Sequence, residues 1–361
     1  MALYQPGSSV SSEHALQESS SRGFVAGVDI GGTSLRVTLA SMTGVILGRW
    51  STSTVGIREP DRVVCLICEG VDGLLREHSY SRADLRAIAA GAPGITDTEQ
   101  GIVLATSYLM GWTNVPLRGL LEAALGIPAF VDNDVNMAAY GEYHAGSARG
   151  VDNFVFLAIG TGVGAGIILN GQLFRGDGWI AGEIGYMLVP GVSVNAVADE
   201  EPGALEEMVG GEGIRRHWQS IWNENETKLP REATATQIFD RALQQDVLAR
   251  MVLERSSRTL AYAIYNISLV LNCPLFVLGG SVGLHPALGD AARATLQELN
   301  ERIQPRVAAS SLGTEAQLIG AIFQAIKTAG SLNRIVGETP AIDNVDQAIP
   351  APSLTGSASI D

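Results

Sequence analysis

At 361 residues, with 46% hydrophobic content, the chain is long enough for two domains with sizeable cores. Its 24 basic and 38 acidic residues leave a net charge of −14, which argues against a nucleic-acid-binding surface but not against a local site for ATP. No apolar run reaches transmembrane length, and the 3 cysteines do not make a disulfide framework.

Residues 1–22 are rich in Ser, Gln and Glu and read as a flexible tail rather than a secretory signal. The first domain starts near Gly23. The apolar run Phe24-Val25-Ala26-Gly27-Val28 reads as a buried strand ending on Asp29-Ile30-Gly31-Gly32-Thr33, and Leu35 to Leu39 reads as the strand that returns. The tip of such a hairpin can hold phosphate on backbone N–H groups. Asp29 would face that phosphate, where a carboxylate orients Mg²⁺ and its waters, and Thr33 adds a hydroxyl. An ordinary hairpin turn is the plainer alternative.

Two further strands are read through Gly44 and on to Ser51-Thr52. Residues 59–78 read as a helix with Val63, Val64, Ile67, Val71 and Leu74 on one face, and Cys65 and Cys68 read as buried helix cysteines. Leu85 to Gly91 is a buried strand ending in Gly91-Ala92-Pro93-Gly94, with Asp97 on the loop beyond. A short extended stretch, Gly101 to Leu104, and a helix at 117–125 precede the strand Ala129-Phe130-Val131. That strand ends on Asp132-Asn133-Asp134, ahead of a helix. Strand ends before helices are where α/β proteins place functional residues. One cap needs less polarity than this run carries, and a carboxylate here would accept the proton of a hydroxyl attacking a γ-phosphate.

Phe154 to Ile159 is another strand, followed by Gly160-Thr161-Gly162-Val163-Gly164-Ala165-Gly166 and a return strand ending at Asn170-Gly171. A dinucleotide fingerprint needs a helix after its glycines. Here a strand follows, so the segment reads as a second phosphate hairpin, and two like hairpins suggest two related halves closing on one nucleotide. Glu183 lies in the glycine loop 176–185, and Glu206 or Glu207 begins a helix, where the dipole already favours acids. Residues 190–203 read as irregular. Helices are expected at 204–222, 236–245 and 247–271, and a strand at 275–278 ends on Gly279-Gly280, where backbone can approach a flat adenine. A last helix spans 315–327, and residues 331–361 read as a loose tail. Alternating strands and helices make the class α/β.

In this order the segments Asp29-Ile30-Gly31-Gly32-Thr33, Gly91-Ala92-Pro93-Gly94, Gly111-Trp112, Val131-Asp132-Asn133-Asp134-Val135-Asn136, Ile159 to Gly166, Ala181-Gly182-Glu183-Ile184-Gly185 and Val277-Leu278-Gly279-Gly280 resemble the ROK family of sugar kinases and sugar-responsive repressors, within the actin-like, hexokinase-like ATPase fold (ribonuclease H-like). The resemblance covers about residues 24–328. It implies ATP-dependent, Mg²⁺-assisted phosphorylation of a sugar hydroxyl in a cleft. The implied small domain is 23–133, completed by helix 315–328, and the large domain is 134–314. It implies Asp134 as catalytic base and Asn133, Asp134, Glu183 and Glu206 as residues that hold sugar hydroxyls. Asp29, Gly31, Gly32, Thr33, Gly160, Thr161, Gly162 and Gly164 would hold phosphates, Asp29 would meet the metal through water, and Gly279 and Gly280 would meet adenosine. A homodimer is what the same resemblance implies, while the charge, the N-terminus and the cysteine count fit a cytoplasmic location with neither membrane nor nucleic acid beyond ATP as a partner.

There are departures. Tyr186 replaces the family's histidine, Tyr108 stands at an expected sugar contact, Ser34 follows the first turn, and residues 187–204 lack the cysteines of a structural zinc site. The pocket is therefore expected to differ from an ordinary glucokinase and to suit an altered hexose, an amino sugar or a C7 cyclitol. A repressor, a non-catalytic sugar or nucleotide sensor and an actin- or chaperone-like ATPase are the rival readings.

Overall fold

Two five-stranded sheets repeat one topology. The computed structural model describes residues 23–106, 109, 111–190 and 202–337, so the readings for 1–22, for Tyr108, for 191–201 and for 338–361 lie outside the described residues. In the first sheet β1 (Phe24–Ile30), β2 (Ser34–Ser41) and β3 (Ile46–Ser53) form an antiparallel meander, followed by α1 (Pro60–Glu77) and β4 (Leu85–Ala92). A small sheet of β5 (Ile95–Asp97), β6 (Ile102–Ala105) and β7 (Thr113–Val115) leads to α2 (Leu117–Leu125) and β8 (Ala129–Asn133). The strand order is β3-β2-β1-β4-β8, with β1, β4 and β8 parallel.

After α3 (Asp134–Ala145) the pattern starts again with β9 (Phe154–Ile159), β10 (Val163–Leu169) and β11 (Gln172–Leu173). Five helices follow: α4 (Ala204–Val209), α5 (Gly211–Ile221), α6 (Ala235–Leu243), α7 (Val247–Leu271) and, after β12 (Leu275–Gly279), the single turn α8 (Gly280–Gly283). α9 (Pro286–Leu299), β13 (Arg306–Ala309) and α10 (Ala316–Gly337) complete the described chain. The second order, β11-β10-β9-β12-β13, matches the first in sequence and in strand direction.

Side-chain alternation along the central strands explains the layers. Phe24, Ala26, Val28 and Ile30 face α1 and α2, meeting Val63, Ile67, Leu74 and Leu121, while Val25 faces α10 with Ala87 and Ala89. In β9, Val155, Leu157 and Ile159 face the helices α4 to α9, and Phe154 and Phe156 face α3. α3 and α10 cross at glycines. A Cβ on Gly141 would lie 2.2 Å from the Ala316 carbonyl, and one on Gly320 would lie 1.7 Å from the Met137 carbonyl, so the two helices touch backbone to backbone.

Several sequence readings are corrected. In place of two strands beyond the first hairpin there is one, β3, and Asp97 closes β5 rather than sitting on a loop. The helix expected at 204–222 breaks at Gly210, which is extended between α4 and α5. Cys65 is exposed and Cys68 half-buried, because the apolar face of α1 is taken by Val63, Val64, Ile67, Val71 and Leu74. Residues 331–337 continue α10 instead of joining the tail.

Candidate active site

Strand register assembles the first half of the site. Asp29 pairs with Gly91 across β1 and β4, and Gly91 pairs with Asp132 across β4 and β8, so the C-terminal ends of three parallel strands bring these positions into one row. Asp29 also lies opposite Arg36 of β2. The Arg36 fork donates to Asp29 Oδ2 from Nε at 2.9 Å and from Nη2 at 2.7 Å, and Arg36 Nη1 reaches Glu315 at 3.3 Å. Burial raises the pKa of Asp29 and the Arg36 charge opposes that rise. Beyond Asp29 the chain turns tightly, with the Gly31 N–H donating to the Ser34 carbonyl at 2.8 Å. Gly32 and Thr33 are exposed at the tip.

Asp134 begins α3. The Asn133 side chain caps that helix, accepting from the N–H groups of Val135 at 2.8 Å and Asn136 at 3.2 Å, and its amide donates to the Gly94 carbonyl at 2.9 Å. One amide hydrogen of Asn133 is left over from this capping role. A Cβ on Gly91 would sit 3.3 Å from the Asp134 backbone, so glycine lets β4 and the start of α3 close on each other. The Asp134 carboxyl is partly open to solvent yet packed among protein atoms. Desolvation raises its pKa from 3.8 to about 7, with the carboxylates of Asp29 and Glu183 adding to the rise and the N–H of Val135 opposing it. A carboxyl poised near neutrality is what proton transfer at physiological pH requires.

The second sheet supplies the rest. Ala158 pairs with Gly279, so the turn after β9 and the turn after β12 lie side by side. Gly280 has φ +79° and a Cβ there would be 2.4 Å from the Ile159 carbonyl. The carbonyl of Gly160 accepts from Gly211 N–H at 2.8 Å, which draws the break between α4 and α5 to the same place. Thr161 is exposed at the tip. Glu206 of α4 reaches this turn and accepts from Val163 N–H at 2.9 Å. Burial raises the pKa of Glu183, with Glu206 adding to the effect, and burial raises Glu206 itself against its Val163 contact. Asp29, Asp134, Glu183 and Glu206 thus form a chain of carboxylates, each close enough to perturb its neighbour. Tyr186 is 51% exposed on a short helical turn two residues past the same loop's Ile184.

The sequence reading did not single out Arg36, Asp132, Arg175 or the Gly210-Gly211 break. Only Arg36 carried a local signal, since a tight turn after Asp29 fixes it as the cross-strand partner.

The ROK family profile matches residues 25–328. The chain belongs to the ROK family. This ROK protein is 31% identical over 307 residues to the glucokinase of Halalkalibacterium halodurans, an alignment covering 81% of this chain and 92% of that protein. It is 33% identical over 258 residues to an N-acetylmannosamine kinase of Escherichia coli, covering 71% and 82%. Among solved structures, the ROK glucokinase of Streptomyces griseus in complex with glucose and AMPPNP superposes with a TM-score of 0.67 at 25% identity, covering 84% of this chain and 100% of that one. The repeated sheets of the ROK protein have the two-part architecture of the actin-like ATPase fold.

The residues fit a nucleoside triphosphate. Two glycine turns present exposed backbone, one in each sheet, and the Gly279-Gly280 turn beside the second lies where no side chain can stand. They also fit Mg²⁺ held mainly by phosphates and water, an arrangement that needs one or two carboxylates, and Asp29 is such a group beside the first turn.

Proposed function

We propose that this ROK protein is a sugar kinase that transfers the γ-phosphoryl group of ATP to a hydroxyl of a hexose or hexose-like polyol. The observation that carries the reading is Asp134. It opens α3 beside the row of strand ends that holds Asp29, and desolvation, with Asp29 and Glu183 adding to it, raises its carboxyl to about 7. The glucokinase and N-acetylmannosamine kinase relatives, and the neighbour holding glucose with AMPPNP (an ATP analogue with NH in place of the β–γ bridging oxygen), support the same chemistry. They do not favour the sensor or cyclitol-kinase readings.

In this reading residues 23–133 with 315–328 and residues 134–314 form two domains, and the acceptor lies between them. Asn133, Glu183 and Glu206 orient its hydroxyls, with Tyr186 and Tyr108 bounding the pocket. Asp134 takes the proton of the reacting hydroxyl as its oxygen attacks phosphorus. The turns Gly31-Gly32-Thr33 and Gly160-Thr161-Gly162, with Gly164 behind the second, line the path of the phosphoryl oxygens. Gly31 and Gly160 shape them through their own N–H bonds to the Ser34 and Gly162 carbonyls, and the N–H groups of Gly32, Thr33, Thr161 and Gly162 meet the charge that develops there. Gly279 and Gly280 accommodate the adenosine. A bound Mg²⁺ would supply positive charge that offsets that of the phosphates. Asp29, fixed by the Arg36 fork, would hold its water shell. Closure of the domains would exclude water as a competing acceptor. A homodimer in the cytoplasm completes the proposal.

The test is ADP release from Mg-ATP with glucose, mannose, fructose, allose, glucosamine, N-acetylmannosamine and a C7 cyclitol as acceptors, Asp134→Asn being the control. One acceptor giving turnover that the variant lacks is the expected result. ATP turnover indifferent to every acceptor would refute the reading.

A further inference from the structure

One ion pair, buried at Asp132 and half-buried at Arg175, joins the two sheets beside the base, and the proposed phosphoryl transfer makes no use of it. Asp132 ends β8 one residue before Asn133 and is 1% exposed. Its Oδ2 accepts from Arg175 Nε at 2.9 Å and Nη2 at 2.5 Å, and its Oδ1 accepts from Asn133 N–H at 2.7 Å and the Asn136 amide at 3.0 Å. Four donors leave this carboxylate nothing to offer a substrate. Arg175 lies just past β11, in the other sheet. Among the described residues this is the one ion pair that links segment 24–133 to segment 134–314.

What hangs on each end gives the pair its meaning. On the Asp132 side, the contacts to Asn133 and Asn136 hold the strand-to-helix turn that carries Asp134. On the Arg175 side, the Arg175 carbonyl accepts from Ala181 N–H at 3.2 Å, which closes the loop on itself. The Gly182 carbonyl accepts from Ala165 N–H at 2.8 Å, which ties the loop to β10. Glu183 is the next residue. A guanidinium fork on a carboxylate oxygen restrains angle as well as distance, which an ammonium cannot do.

We infer that Arg175 and Asp132 are positioning residues whose bridge sets Asp134 against Glu183, and so the angle at which the acceptor hydroxyl meets its base. The inference rests on the sugar-kinase reading of this site. Arg175→Lys keeps the charge and removes the fork. With the acceptor found in the panel, kcat/KM for the sugar falls on the order of 10²-fold, the loss expected of misplacement by about 1 Å, while KM for ATP stays within about twofold. The acidic limb of the rate profile moves to lower pH, because loosening the loop lets water reach Asp134 and distances Glu183. Asp132→Asn, neutral and of the same size, gives the same pattern and serves should the lysine variant not fold. The double variant Asp132→Asn/Arg175→Gln costs no more than Arg175→Gln alone, as for two residues acting as a unit. Wild-type sugar kinetics and an unmoved acidic limb in these variants would overturn the inference, as would an equal rise in the KM of both substrates. A wild type without turnover on any acceptor overturns the kinase reading and the inference with it, which keeps the two failures distinct.

Discussion

Replacing Asp134 by asparagine should move stability and activity in opposite directions. In the folded protein the Asp134 carboxyl is raised from 3.8 to about 7, first by desolvation and then by Asp29 and Glu183. At about 1.4 kcal/mol for each tenfold change in proton affinity, that rise corresponds to at most about 4 kcal/mol. Solvent reaches part of the group and screens it, which brings the expected effect to about 1–2 kcal/mol. The sign follows from linkage. The fold binds this proton more tightly than the unfolded chain does, so the contribution is whole below about pH 4 and is lost as pH rises through about 7. Asparagine carries no charge to desolvate, and its oxygen can still accept the Val135 N–H that Asp134 Oδ1 accepts at 2.9 Å. Urea denaturation of both proteins from about pH 4.5 to about pH 8.5 checks this. The variant should gain on wild type as pH rises and level off above neutrality, while kcat falls on the order of 10²–10⁴-fold. In the wild type, kcat/KM should climb through about pH 7 as the base ionises. A stability difference independent of pH, or a wild-type rate already flat from about pH 5.5, would refute the reasoning.

Two further substitutions test the neighbouring parts. Gly280→Ala places a methyl 2.4 Å from the Ile159 carbonyl at φ +79°. Strain of about 1–3 kcal/mol at the Gly279-Gly280 turn should weaken ATP binding by about tenfold or more, and an unchanged ATP affinity by calorimetry would exclude the turn from the nucleotide site. Asn133→Ala removes a cap that accepts two N–H groups and the amide contact to Gly94. It should cost about 1–2 kcal/mol in chemical denaturation, and a loss within a few tenths of a kcal/mol would deny Asn133 its capping role.

Both glycine hairpins were legible because strand, glycine turn and strand are written in contiguous residues, and Asp29 and Asp134 stood out as carboxylates at strand ends. Cross-sheet relations were not legible. Asp132 and Arg175 are 43 positions apart, and the first passes for one more polar residue in a polar run. The Gly210-Gly211 break was hidden inside apolar residues of helical spacing, and what separates α4 from α5 is a long-range bond to Gly160. α9 and β13 were not read at all. Cys65 and Cys68 were misplaced because residue type suggested burial while the spacing of their aliphatic neighbours had already claimed the buried face of α1. Strand order followed only from the structure, and it shows that the two hairpins are the same element of a repeated unit.

The seam between α3 and α10 also bears on how the polypeptide reaches its native state. Val25, Ala87 and Ala89, on strands that leave the ribosome early, are covered by Ala321, Ile322 and Ala325, which leave it late. Until α10 has been translated, one face of the first sheet has no cover, even though its other face can already close on α1 and α2. The second sheet with α4 to α9 is synthesised as one stretch and can consolidate in the meantime. The order of assembly therefore runs against the order of synthesis, and the early strands spend most of translation as exposed apolar surface, the condition under which nascent chains depend on chaperones. Removing α10 would leave that surface open permanently, so the glycine turn after Asp29 depends for its support on the far end of the described chain.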